Sequence, residues 1–206
     1  MTIPTQVPTE PNSPATADSN TQVHVWDRLV RTFHWSLAAA FTTAFIVEDD
    51  LLSVHVNAGY LVLTLIVIRV IWGVIGSEHA RFSDFVRKPN EIMAYVKDAL
   101  AFRAARYLGH NPAGGVMVIV LLLALTATTL SGMALYGATE FAGPLAGLMS
   151  GTPESTGEAL EEVHEFFANF TLALVIFHLA GVAFSSLSHR ENLIGAMITG
   201  FKRSAK

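Results

Sequence analysis

The chain has 206 residues and no cysteine, which removes several kinds of chemistry at once. Without thiols there is no disulfide framework, no thiolate-held iron–sulfur cluster and no CxxCH covalent attachment of a haem. Any redox cofactor must be held by other side chains. Charge is also scarce: Asp, Glu, Lys and Arg make up 15% of the residues against 51% hydrophobic ones, and mean hydropathy is +0.44. A soluble domain carries about 25% charged residues, so this composition belongs in a membrane. No internal repeat at solenoid periods is present, and nothing in the charge pattern points to nucleic acid.

What is present is a set of long apolar runs. Four of them, Leu29–Val47, Ala58–Gly76, Val116–Tyr136 and Phe166–Leu187, approach or exceed the length of about 20 residues that a bilayer core requires. The last lies within a helix expected over 162–187. Lipid offers no partner for backbone polar groups, so such runs are helices. The expected fold is an all-α integral membrane four-helix bundle over residues 23–202. Residues 1–22, rich in Pro, Thr and Ser, lack both a basic start and an apolar stretch and read as a disordered tail.

Two of the expected loops lack basic residues entirely. They carry Glu48, Asp49, Asp50, Glu140, Glu154, Glu158, Glu161 and Glu162 with no Lys or Arg. The basic residues gather instead at Arg28 and Arg31, at Arg81, Arg87, Lys88, Lys97, Arg103 and Arg106, and at Arg190, Lys202, Arg203 and Lys206. The positive-inside rule then puts both termini in the cytoplasm. Trp26, Trp35, Trp72 and Tyr136 fall near helix ends, as interfacial aromatic belts do. In the basic connection, Asn90 reads as a cap for an amphipathic helix bearing Ile92, Val96, Leu100 and Tyr107 beside Lys97, Arg103 and Arg106, lying on the inner surface. The "GHNPAGG" that follows reads as a turn before the third helix.

Of eight histidines, His24, His79, His110 and His189 fall in tail or loop segments, where a solvated imidazole is the default. The other four are tied to the apolar runs. His164 and His178 are fourteen residues apart on the last helix. Fourteen steps of about 100° return to within roughly 40° of one face, about 21 Å further along. Given the topology, His34 and His178 share the inner half of the membrane, while His55 and His164 share the outer half. A lone buried imidazole more often hydrogen-bonds a carbonyl than binds a metal. Two pairs matched in depth are what bis-imidazole haem ligation needs, one histidine from each of two helices. A closed zinc site would need its four ligands together. Nor does His164–Glu165 begin an HExxH motif, because position 168 is Ala168.

Arg69 lies fourteen residues after His55 on the second helix, hence on the same face and near the inner pair. An intramembrane arginine either snorkels to the interface or meets an anion, here a propionate of an inner haem. Gly59, Gly73, Gly132 and Gly181 permit close approach of a neighbouring helix or a flat macrocycle.

The segments "VWDRLVRTFHW", "HVNAGYLVLTLIVIRVIWGVIG", "HARFSDF", "GHNPAGG", "EEVHE", "FHLAGV" and "SHRENLIGAMITG" together resemble the prokaryotic cytochrome b561 family, especially the branch of the b-type cytochrome subunit of nickel-iron hydrogenase. The resemblance spans about Val23 to Lys202. It implies two non-covalent b haems with His34, His55, His164 and His178 as axial ligands. It also implies electron transfer between a donor at one surface and the quinone pool, in a respiratory chain of the bacterial inner membrane. The partners it implies are lipid, a quinone and a periplasmic redox protein, either a hydrogenase or a c-type cytochrome. Two other functions remain open: oxidation of superoxide with quinone as acceptor, and a non-catalytic haem-binding scaffold or sensor. In the first reading the chain is the electron-transfer subunit of an oxidoreductase complex.

Overall fold

A computed structural model of the chain describes residues 22–48 and 50–204. The tail expected over 1–22 lies outside the described residues except for Gln22, and Asp49 of the acidic loop lies outside them as well. The elements run β1 (Gln22–His24), α1 (Arg28–Val47), α2 (Leu52–Ile75), a 3-10 turn (Glu78–Ala80), α3 (Phe82–Phe85), α4 (Pro89–Leu100), α5 (Pro112–Thr139), α6 (Ala146–Met149), α7 (Glu154–His189), α8 (Leu193–Thr199) and β2 (Phe201–Arg203). The protein is mainly helical. Among the described residues three helices, α2, α5 and α7, are long and apolar enough to cross a membrane. The first apolar run does form α1, but Arg28, Arg31 and His34 in its first two turns dilute its apolar character.

Helix starts are set by local chemistry that hydropathy does not report. Asp27 caps α1 by accepting from Val30 N–H at 2.8 Å. Its other carboxylate oxygen accepts from Trp72 Nε1 at 3.0 Å and from Ser77 Oγ, tying the start of α1 to the end of α2. Asn111 caps α5 by accepting from Gly114 N–H at 2.7 Å, with Pro112 in the first turn. The expected turn therefore ends at Asn111, and "PAGG" is already helix. In α4 the cap position belongs to Lys88, with no side-chain cap bond, and Asn90 sits inside the helix. Pro89 explains the shift, since its fixed φ and missing N–H suit the first helical turn. Tyr107 lies beyond α4 and meets Tyr95 edge-on at 5.7 Å.

α1 packs on α2, α2 on α5 and α5 on α7. Phe33, Ala40, Val62, Ile66, Leu122 and Leu125 form the core shared by α1, α2 and α5. The contact between α5 and α7 includes polar groups, among them the Thr128 and wholly buried Thr171 hydroxyls, which lie 3.1 Å apart. Leu61, Val67, Ile71, Val74, Leu123 and Phe177 point outward and are exposed, a surface that is costly in water and natural in lipid.

The first and last described elements are closed on each other. β1 and β2 pair antiparallel with Val23 opposite Lys202, and Gly200 C=O accepts from both Val25 and Trp26 N–H. Gly200 has φ of +90°, a conformation that favours glycine. Lys202, 5% exposed, donates to the Leu108 carbonyl at 2.9 Å and lies 3.5 Å from Glu191. Arg106 reaches the same carboxylate at 2.6 Å. Burial alone pushes the Glu191 carboxyl up, but Arg106 and Lys202 outweigh it and hold the group below its ordinary value. A carboxyl depressed in the folded state stabilises fully above its unfolded pKa, and that contribution is lost as pH falls through the folded value. Glu191→Gln leaves Lys202 buried without its anion, an effect on the order of 3 kcal/mol. Faster amide exchange over residues 201–204 is expected in this variant at neutral pH, and the difference from the unmodified protein should vanish in acid. Equal exchange at neutral pH would remove the ion cluster as the clasp.

Candidate functional site: two histidine pairs

The four histidines of the apolar helices meet as two pairs at opposite ends of the helix packing. His55, in the first turn of α2, faces His164 of α7 with ring centroids 5.9 Å apart and planes at 79°. His34 of α1 faces His178 of α7 with centroids 6.3 Å apart and planes at 53°. α7 thus contributes one ring to each pair. Metal–imidazole bonds of about 2 Å, with each ring centroid about 1 Å behind its ligating nitrogen, place two axial rings about 6 Å apart. Both pairs have that separation.

At the first pair the tautomers are determined by backbone carbonyls, which can only accept. His55 Nδ1–H donates to Ala44 C=O at 3.0 Å, and His164 Nδ1–H donates to Thr128 C=O at 2.9 Å, with Ser131 Oγ at 3.3 Å. Nε2 is therefore the basic nitrogen of both rings, which is the arrangement a metal-ligating imidazole adopts. A cavity of about 610 Å³ adjoins them, lined among others by Phe41, Gly59, Tyr60 and Gly132. Its volume lies within the range of sites for cofactor-sized molecules. Its lining also includes Glu48, Glu140, Glu161 and Glu165, and no Lys or Arg among the described residues. Gly132 is required by the His164 ring itself, since a Cβ there would lie 2.7 Å from His164 Cε1. Gly59 and Gly181, in contrast, face open space within 4 Å, room that a flat macrocycle beside the helices would use. Gly73 serves a different neighbour, because Phe82 fills the volume its Cβ would take.

At the second pair, His34 Nδ1 is buried with no hydrogen-bond partner among the described residues, and Trp35 meets the His34 ring edge-on at 5.3 Å. Arg69 stands at the same end of the molecule and is 3% exposed. Its Nη2 donates to Ala80 C=O at 3.0 Å and its guanidinium lies 5.1 Å from the Phe82 ring centre, while Nη1 is buried without a partner among the described residues.

Two of the four loop histidines depart from the solvated expectation. His79 Nδ1 and Asp84 Oδ2 lie 3.1 Å apart, with Gly109 packed so closely over them that a Cβ would be 3.1 Å from the imidazole. His110 is held between the rings of Trp26 and Phe85, each with its centroid 4.7 Å away. Burial, helped by the nearby Arg69 and Lys202 charges, pushes its pKa down to about 3, so it is neutral at physiological pH. The signal in the sequence was its place one residue before the Asn111 cap, where the chain enters the packed end of a helix. His24 packs edge-on against Phe201, and His189 ends α7.

Paired imidazoles at both ends of membrane-length helices define a class, the helical membrane cytochromes that hold haem b without covalent attachment. Residues 25–200 match the model of the family described as prokaryotic cytochrome b561, and the chain belongs to that family. Similar curated proteins are three described as "Probable Ni/Fe-hydrogenase B-type cytochrome subunit". That of Cupriavidus necator is 22% identical, with the alignment covering 94% of this chain and 92% of the relative. That of Rhodobacter capsulatus is 23% identical over 88% and 82%, and that of Rhizobium leguminosarum bv. viciae is 25% identical over 86% and 87%. No solved structure matches. The protein is thus a multi-pass membrane protein with a haem b electron-transfer role.

Because the His164 ring rests on Gly132, Gly132→Ala should displace that ring and lower the low-spin haem signal in a reduced-minus-oxidised spectrum. Gly147→Ala, where a Cβ meets nothing within 4 Å, serves as the control and should leave the spectrum unchanged. Indistinguishable spectra from the two variants would mean that the observed seat of His164 is not needed for haem.

Proposed function

We propose that the protein is a dihaem transmembrane cytochrome b that carries electrons from a donor at the outer surface to the quinone pool of a bacterial inner membrane. The observation that carries this reading is the assembly of two histidine pairs with axial-ligand separation at opposite ends of the molecule. α1 joins α2, α5 and α7 as a fourth span, with both termini cytoplasmic. α4, with Lys97 and an exposed Met93 and Leu100, lies along the inner surface. His55 and His164 would hold the outer haem, and His34 and His178 the inner one. Bound haem supplies a one-electron couple at each iron.

The charged residues supply direction. Glu48, Glu140, Glu161 and Glu165 around the outer cavity favour the oxidised, more positive state there. Arg69, assigned here to a propionate of the inner haem, favours the reduced state at the other end. An electron arriving outside is therefore drawn inward. The same carboxylates favour a donor with a basic face. A hydrogenase fits the names of the relatives, and a c-type cytochrome fits the same chemistry. Superoxide, an anion, would have to approach a surface and cavity lined by carboxylates, which ranks that reading second. A scaffold or sensor would need only one of the two sites.

The central test is haem per chain, measured as the pyridine haemochrome. Two haems are expected in the unmodified protein. His34→Ala or His178→Ala should empty or make high-spin one site, His55→Ala or His164→Ala the other. Full low-spin loading in all four variants would eliminate the assignment.

The donor is tested by reversing charge at Glu158, Glu161 and Glu162 to Lys. Reduction by a basic donor protein should slow by about tenfold or more at low ionic strength, and the difference should shrink with added salt. Near diffusion-limited haem reduction by pulsed superoxide in the unmodified protein would instead favour the superoxide oxidase.

A further inference from the structure

Buried polar atoms without partners are rare enough that two of them within one ring cluster require an explanation. Among the described residues, Arg69 Nη1 and His110 Nδ1 are such atoms. They are linked through packed rings: the Arg69 guanidinium lies 5.1 Å from the Phe82 ring centre, Phe82 meets Phe85 at 5.8 Å, and Phe85 meets His110 at 4.7 Å. His110 also lies close enough to His178 and Arg69 for their charges to act on it.

Arg69 carries a positive charge with no carboxylate in ion-pair range among the described residues. Asp27 is near enough to be felt, but its oxygens already accept from Val30, Trp72 and Ser77. A neutral His110 offers one N–H donor and no charge. The pair therefore holds a net charge of one and presents two donors, which matches a single carboxylate. A quinone carbonyl would accept the same hydrogen bonds but leave the guanidinium uncompensated.

We propose that Arg69 Nη1 and His110 Nδ1 form a two-donor seat for a carboxylate, a propionate of the haem held by His34 and His178, with His110 as a positioning residue. This rests on the dihaem reading above.

The test is a redox titration of both haems in Arg69→Leu, His110→Phe, His110→Gln and the Arg69→Leu/His110→Phe double variant. Phe preserves the ring between Trp26 and Phe85 but cannot donate, whereas Gln restores a donor. His110→Phe should lower the inner midpoint potential in the same direction as Arg69→Leu, and His110→Gln should return it most of the way. The double variant should shift by less than the sum of the two, because both act on one group. The outer haem should not move. Selective loss of the inner haem from His110→Phe but not from His110→Gln also supports the seat. An unchanged inner potential in His110→Phe, equal shifts or equal haem loss in the Phe and Gln variants, or strictly additive shifts would overturn it. A single haem per chain in the unmodified protein would overturn the dihaem reading itself, a result told apart from these by stoichiometry alone.

Discussion

α7 must present two imidazoles on one face, about 21 Å apart along its axis, to two different helices, and the rest of the structure is arranged around that demand. His164 meets His55 of α2, and His178 meets His34 of α1. α1 and α2 therefore both lie within reach of α7, although the backbone of α7 packs chiefly on α5. This leaves space between the helix pairs, bordered at one end by Gly59 and by Gly132, which the His164 ring presses against.

Polar groups inside such a helix set are satisfied largely by the helices' own backbone. Thr64, Thr126, Thr129 and Thr139 each donate to a carbonyl four residues earlier. His55 and His164 borrow carbonyls from α1 and α5 to orient their rings. Each such bond replaces one that water would otherwise supply, and in lipid there is no water to supply it. The exceptions, His34, Arg31, Arg69 and His110 among the described residues, cluster at the end where β1 and β2 pair, and Tyr60 stands by the cavity at the other.

Much of this arrangement was legible in the sequence. Apolar runs gave the locations of the long helices, and the fourteen-residue intervals with alternating chain direction gave which histidines would meet. Hydropathy reports the lipid-facing part of a helix and not the helix itself, which is why α2 starts at Leu52 and not Ala58. The residues between include Ser53, His55 and Asn57, and Asn57 bonds back to the Ser53 carbonyl at 2.7 Å. The acidic turns that open α7 at Glu154 were missed for the same reason. The half-buried seat of His110 depends on Trp26 and Phe85, residues remote in sequence that no periodicity connects to it.

The division of labour on α7 also orders assembly in time. The ribosome delivers His34 and His55 early, but neither has its partner until the last long helix emerges, and β1 has no strand to pair with until Phe201–Arg203 has been made. Both pairs are therefore completed only once α7 has been made, and the β1–β2 clasp only after it. A group held between either pair of rings would be gripped from both sides only once α7 is in place.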